Sequence, residues 1–175
     1  MASYNYAVLD SVLMYDINQR NDRMILGVTG TWSPLRGMSH KLTIGYDDAR
    51  AEEKFVHPLN YITDRPGRIG LQNTWSRSLS TDYVVSQQVS LFSGLSATLS
   101  GGGQLVQRDR GEVQLQGTGL PTPGDHTVSS ANTQLAPDVN ESRVITGGFL
   151  VQNMFAFKDR YFLTAGVRVD GNSAF

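Results

Sequence analysis

Hydrophobic and polar residues alternate with a period of two along several stretches of the chain, most regularly near its C-terminal end. There, one set of positions is apolar and the interleaved set is mixed: Tyr161, Leu163, Ala165, Val167 and Val169 alternate with Phe162, Thr164, Gly166, Arg168 and Asp170. Because successive side chains of a β-strand point to opposite faces, the pattern predicts strands with one apolar face. The sequence therefore predicts an all-β protein.

The pattern predicts six main antiparallel, up-and-down strands, at residues 22–33, 38–47, 71–91, 95–117, 144–157 and 160–169. A short helical turn is expected before them, at residues 8–15. The connections alternate between short and long, at residues 34–37, 48–70, 92–94, 118–143 and 158–159. Outer-membrane barrels have short periplasmic turns and long extracellular loops. The alternation therefore favours part of a large outer-membrane β-barrel, in the form of an open, incomplete sheet.

The expected facing of the strands follows from the cost of placing charge in lipid. A basic side chain on the lipid face costs about 2–4 kcal/mol near the bilayer midplane. Lys41 and Arg168 are therefore predicted to point into the barrel lumen, and Leu42 and Leu163 into lipid. The strands at residues 71–91 and 144–157 carry polar groups on both faces, so the sequence leaves their facing open.

The amino-acid sequence of the C-terminal segment resembles that of a known protein family. Residues 158–175, KDRYFLTAGVRVDGNSAF, closely resemble a barrel hairpin of TonB-dependent outer-membrane receptors, in particular of the SusC/RagA-like branch. Residues 120–131 resemble the loop that precedes this hairpin, and residues 32–47 resemble an earlier hairpin. Aromatic residues flank the turn at residues 158–159, as in an interfacial girdle: Phe155, Phe157, Tyr161 and Phe162. The resemblance covers residues 9–175, nearly the whole chain.

The resemblance implies a fragment of an active transporter of the bacterial outer membrane that imports a large nutrient, such as a glycan, a peptide or a chelate. Residues 1–175 would supply barrel wall and extracellular loops. The plug domain, the signal peptide and the C-terminal strands are expected to be absent from the chain, since its start lacks the features of a secretory signal. The implied partners are outer-membrane lipid, TonB acting through the plug, and a surface lipoprotein lid.

Composition and motifs disfavour other classes of function. A net charge of −1 provides no field that would attract nucleic acid, and the absence of cysteine excludes disulfides and thiolate metal sites. His40, His57 and His126 stand in different segments without the spacing of metal ligands. Asp170, Gly171 and Asn172 are interpreted as a turn rather than a calcium loop. Neither a catalytic residue, a cofactor nor a metal is predicted, and the protein is not expected to be an enzyme.

Recognition is expected in the two long connections, since loops on a rigid scaffold commonly bind ligands. The first carries Phe55, His57 and Tyr61, and the second carries Pro121, Pro123, Asp125 and His126. The acidic residues of the first connection are interpreted as a solvated loop: Asp47, Asp48, Glu52 and Glu53. The cluster Arg108, Asp109 and Arg110 is interpreted as a salt-bridged surface extension rather than part of an outer vestibule. The sequence singles out no individual substrate-binding residue.

A run of three glycines and two alternative folds also follow from the sequence. The glycines at residues 101–103 are predicted to interrupt the fourth strand with a bulge or bend. The main alternative is a soluble, lectin-like β-sandwich that binds a ligand and packs the Leu42 and Leu163 faces together. A small complete barrel of an enzyme or adhesin is the weaker alternative, because six strands are fewer than the eight of the smallest outer-membrane barrels.

Overall fold

The structure is a computed structural model that describes residues 13–124 and 127–174. Within these residues the elements are strands β1 (Asp16–Trp32), β2 (Met38–His57), β3 (Arg68–Phe92), β4 (Leu95–Thr118), β5 (Thr133–Gln134), β6 (Asp138–Phe157) and β7 (Tyr161–Asn172), with a 3₁₀ helix at Val128–Ser130. The helical turn expected at residues 8–15 lies largely outside the described residues; Leu13 and Met14 are helical. In the described part of the chain, no helix is long and apolar enough to cross a membrane.

All strands belong to one open antiparallel sheet, in the order β1-β2-β3-β4-β6-β7. The two-residue strand β5 pairs with the end of β4, opposite Gly117 and Thr118. Each long strand thus pairs with the next long strand along the chain, so the predicted up-and-down topology is confirmed. The sandwich alternative is wrong for the described residues, because they form a single sheet with no second sheet packed against it.

Several strands are longer than the alternation predicts. β1 begins at Asp16 instead of residue 22, β2 continues to His57 instead of residue 47, and β6 begins at Asp138 instead of residue 144. The acidic residues predicted in a loop therefore lie on β2: Asp47, Asp48, Glu52 and Glu53. The added strand segments carry polar residues on both faces, so they lack the period-two signal by which strands are recognised.

Two predictions of irregular backbone are wrong. β4 runs without a break through residues 101–103, and β7 continues through the expected turn, with Asp170 paired opposite Gly148. The glycine at position 102 has a different structural role. A Cβ atom there would lie 2.6 Å from the backbone oxygen of Tyr83 on β3. This glycine therefore permits a close approach of two strands, not a bend.

The chain divides into two compact units. Unit 1 comprises Ala49–Ser76 and Arg110–Ser142 together with the chain up to Arg23, and it contains both long connections, at residues 58–67 and 119–137. Unit 2 comprises Met24–Asp48, Arg77–Asp109 and Arg143–Phe175, and it contains the short turns at residues 33–37, 93–94 and 158–160. Each unit thus holds one class of connection, as the alternation of loop lengths predicts.

Hydrophobic burial differs sharply between the two units. In unit 1, Val56, Ile69, Leu120 and Ala131 form a buried cluster, and Leu59 and Val128 pack against it. Among the described residues of unit 2, Ala156 is the only buried hydrophobic residue. The large apolar side chains of this unit are exposed instead, including Phe149 at 76%, Leu163 at 67% and Val167 at 71%.

The strand register determines the facing that the sequence leaves open. Val151 lies opposite Val167 in the β6–β7 pair, whereas Gln152 lies opposite Gly166. Because directly opposed residues share a face of an antiparallel sheet, Asn153 lies on the apolar face with Leu163, and Gln152 lies on the face of Arg168. On β3, the Ser86 hydroxyl lies 2.8 Å from that of Ser39, while the Tyr83 hydroxyl lies 2.6 Å from Nδ1 of His40 on the other face.

Candidate functional site

Unit 1 contains an aromatic cluster formed by Tyr15, Phe55, His57 and Tyr61. The rings of His57 and Tyr61 are stacked, with centroids 4.5 Å apart and planes inclined by 12°. Phe55 and Tyr15 pack around the same imidazole at centroid distances of 5.7 and 5.0 Å. Tyr61 is buried, whereas Tyr15 is exposed. The aromatic cluster therefore has a fixed base and an accessible side.

The connection at residues 58–67 is a closed turn that fixes Tyr61. The backbone N–H of Asn60 donates to the Arg65 oxygen at 2.9 Å, and that of Gly67 donates to the Asp64 oxygen at 2.9 Å. Asn60 and Gly67 have φ angles of 66° and 75°. Asn and Gly are the residues that adopt this left-handed conformation most readily.

A carboxylate and a guanidinium border the aromatic cluster. Asp64 accepts a hydrogen bond from Nε of Arg68 at 2.7 Å, and its Oδ2 lies 3.7 Å from Nδ1 of His57. The second distance is too long for a hydrogen bond. Burial raises the pKa of the Tyr15 hydroxyl, and the negative charge of Glu53 and the neighbouring Tyr61 raise it further. Tyr15 is therefore a neutral hydrogen-bonding group at physiological pH.

Aromatic rings occupy the space next to glycines on both faces of unit 1. The Phe55 ring covers Gly70 on β3, and the Trp75 ring covers Gly111 on β4. A ring over a glycine of the neighbouring strand protects backbone that lacks a side chain. Gln72 is two residues from Gly70 and therefore points to the same face of the sheet, where its side-chain amide donates a hydrogen bond to Glu112 at 2.8 Å. One face of unit 1 thus carries Phe55 and this polar pair, and the opposite face carries Trp75.

Unit 2 carries two ion pairs that link neighbouring strands. Nε of Arg143 lies 2.6 Å from Asp109 on β4, and Nε of Arg77 lies 3.7 Å from Asp48 on β2. The hydrogen bond from Arg143 lowers the pKa of the Asp109 carboxyl, and a second bond from Gln107 lowers it further. Asp109 is therefore part of a salt-bridged surface, in agreement with the interpretation from sequence.

His40 and His57 lie in different units. His40 lies on β2 in unit 2, His57 is the last residue of β2 in unit 1, and both His126 and Asp125 lie outside the described residues. Pro121 and Pro123 are exposed. In residues 13–124 and 127–174, no group of three or more His, Cys, Asp or Glu side chains could hold a metal ion.

Sequence reasoning missed a groove of about 580 Å³ in unit 1. Its apolar lining includes Ile69, Leu71 and Leu115 from two strands and Leu135 from the connection after β4, and Lys54 lies at its side. These residues come from distant parts of the sequence. Only the folding of residues 127–137 against the sheet brings them together, so no local motif could have revealed the groove.

No family model matches the sequence, and no curated protein matches it. Solved structures do match. The alignment with the RagAB peptide transporter has a TM-score of 0.88 at 15% identity, and it covers 94% of this chain and 19% of that chain. The chain shares its fold with a segment of this transporter.

Two further comparisons agree with this fold. The RagAB peptide importer in the 'closed-closed' state aligns with a TM-score of 0.87 at 15% identity, over 93% of this chain and 19% of that chain. BauA, the ferric preacinetobactin receptor from Acinetobacter baumannii, aligns with a TM-score of 0.51 at 12% identity, over 92% of this chain and 26% of that chain. The chain thus spans about a fifth to a quarter of the length of the structures that it matches.

Proposed function

We propose that this chain is a barrel-wall segment of a TonB-dependent importer of the bacterial outer membrane, of the SusC/RagA-like kind. The observation that carries the proposal is the fold, which follows the RagAB peptide transporter over 94% of the chain. The sequence resemblance in residues 158–175 points to the same family.

The distribution of apolar side chains supports placement in lipid. The β6–β7 pair extends over twelve opposed residue pairs, from Phe157 and Tyr161 to Thr146 and Asn172. A barrel strand crosses the hydrocarbon core with about 9–11 residues. One face of this pair is apolar and exposed, with Phe149, Val151 and Val167 among its members. Such a face is stable in lipid and costly in water.

The proposed role of unit 1 is recognition outside the membrane. Its aromatic cluster offers ring surfaces next to Asp64 and Arg68, which suits a large nutrient with both apolar and polar groups. A peptide is the first candidate, because the RagAB structure is that of a peptide transporter; a glycan or a chelate is the alternative. The proposed partners are outer-membrane lipid, TonB acting through a plug, and a surface lipoprotein. No catalytic role is proposed.

Cysteine accessibility in the full-length protein tests this placement. These 175 residues contain no cysteine, so each single substitution adds one label to this segment, and the unsubstituted full-length protein gives the background. Thr122→Cys lies at an exposed position of the long connection after β4, and Asp159→Cys lies at an exposed position of the turn between β6 and β7. On intact bacteria, a membrane-impermeant maleimide is expected to label Thr122→Cys and not Asp159→Cys.

Permeabilised cells provide the control, because both cysteines should then react to a similar extent. Labelling of Asp159→Cys on intact cells, or equal labelling of both variants, would contradict the proposed topology. Recovery of the folded protein in the soluble fraction would contradict the membrane placement itself.

A further inference from the structure

Eight residues from three adjacent strands of unit 1 line one cleft of about 320 Å³. Six of them occupy two positions on each strand, and Ala51 and Thr74 lie between such positions. The two positions on each strand are separated by one residue, so their side chains point to the same face. Strands β1, β2 and β3 are neighbours in the sheet. The six side chains therefore form an array of three rows: Arg20 and Asp22, Arg50 and Glu52, and Asn73 and Trp75.

One wall of this cleft is fixed by packing. The Trp75 indole lies over Gly111 on β4, where no side chain competes for the space. This is the face of unit 1 opposite to the one that carries Phe55, so the cleft is separate from the aromatic cluster. The opposite side of the cleft is more accessible: Arg20 and Asp22 form an ion pair at 2.9 Å while their side chains stay 76% and 61% exposed.

The chemistry of the array favours a hydroxyl-rich ligand over an ion. Two guanidinium groups and two carboxylates cancel in charge, so neither a cation nor an anion is attracted strongly. Guanidinium, carboxylate and carboxamide groups are planar, and each can form two hydrogen bonds to neighbouring groups of a ligand. Beside them, the indole provides a flat apolar surface with a single donor.

We propose that this cleft binds a neutral saccharide. Vicinal hydroxyls of a sugar would meet the planar polar groups, and the C–H face of the sugar ring would pack on Trp75. The volume of 320 Å³ lies at the lower end of the range of ligand pockets, about 300–1,000 Å³, which fits a short saccharide unit. The site differs from the proposed nutrient-binding surface and does not depend on import.

An array of immobilised neutral and acidic glycans, probed with the purified full-length protein in detergent micelles, tests the inference. Binding to at least one neutral glycan is expected, followed by titration of that glycan in solution. Trp75→Ala and Asn73→Ala should each weaken the affinity at least tenfold. Trp75→Phe, which keeps a ring in place, should retain more affinity than Trp75→Ala and so separates ring contact from loss of folding.

Arg160→Ala is the control, since it truncates a polar side chain at an exposed turn position in unit 2 and should leave binding unchanged. The saccharide could be free or part of a surface glycolipid, so the glycan that binds is compared with its lipid-linked form. Binding of both forms supports the proposal where Trp75→Ala and Asn73→Ala weaken it, and binding that both substitutions leave unchanged would place the glycan elsewhere and overturn it. Binding of the lipid-linked form alone, binding of acidic glycans alone, or no binding to the array would overturn it.

Discussion

Glycines decide how closely neighbouring strands and rings approach one another in this sheet. Gly70 and Gly111 leave room for the Phe55 and Trp75 rings, and Gly102 leaves room for the backbone of β3. The two kinds of contact differ in how they can relax. A ring can turn about its side-chain bonds, whereas a backbone carbonyl moves only with its strand.

Gly102→Ala is therefore expected to destabilise the protein by about 1–3 kcal/mol, the usual cost of overpacking. The new Cβ would lie 2.6 Å from the Tyr83 oxygen and could be accommodated only by separating β3 from β4. Thermal unfolding of the protein in detergent micelles measures the effect. Gly27→Ala is the control, because nothing lies within 4 Å of a Cβ at that position; it should be neutral or slightly stabilising. Equal stability of the two variants would show that the close approach is not limiting.

Strands β6 and β7 show how register assigns each residue to a face. Val151 and Gln152 are consecutive, yet the first lies opposite Val167 on the apolar face and the second lies opposite Gly166 on the face of Arg168. In the proposed barrel, these two positions lie at nearly the same depth. Facing is therefore the main difference between them.

Val151→Lys is expected to destabilise the membrane-embedded protein by about 2–4 kcal/mol, since it places an ammonium group on the proposed lipid face near the midplane. Gln152→Lys should cost little, because the group would point to the lumen near other polar side chains. The amount of heat-modifiable, folded protein in the outer membrane is the measurement for both variants. A larger loss for Gln152→Lys would reverse the proposed facing.

Strands that carry one apolar face could be predicted from sequence, and those without one could not. The alternation around Leu163 locates β7, and that around Leu99 locates β4, to within a few residues. In the segment of β2 from Ala49 to His57, one face carries Arg50, Glu52 and Lys54 and the other carries Glu53 and His57. Neither face is apolar throughout, so the sequence predicts a loop there. Pairing with β3 makes it a strand.

The candidate sites were predictable to a smaller extent. Phe55, His57 and Tyr61 stood out because aromatic residues in a connection suggest recognition, although the first two belong to a strand. The cleft that contains Arg20 and Trp75 could not be found from sequence. Its members come from three strands, and neither the pairing of these strands nor the space between their side chains leaves a local pattern.

The two units differ in how many hydrophobic side chains they bury. Unit 1 has its own hydrophobic cluster around Ile69, which is 1% exposed. Among its described residues, unit 2 buries a single hydrophobic side chain, Ala156, and exposes a series of leucine, valine and phenylalanine side chains. Among the strands that the structure describes, β1 and β7 each have a single neighbour in the sheet. A sheet with open edges and an exposed apolar face aggregates in water.

The 175-residue chain by itself is therefore expected to be insoluble in plain buffer and to gain β-structure only when detergent covers the apolar face of unit 2. Circular dichroism of urea-solubilised chain, diluted into buffer with and without detergent micelles, measures this. Unit 1 provides an internal comparison, because its buried cluster does not require detergent. In the Trp32→Phe variant the fluorescence comes from Trp75 of unit 1, and in the Trp75→Phe variant it comes from Trp32 of unit 2. The fluorescence of Trp75 should depend less on detergent than that of Trp32. A cooperative, monomeric transition without detergent would mean that the apolar face of unit 2 has a partner within the chain, and the membrane assignment would then fail.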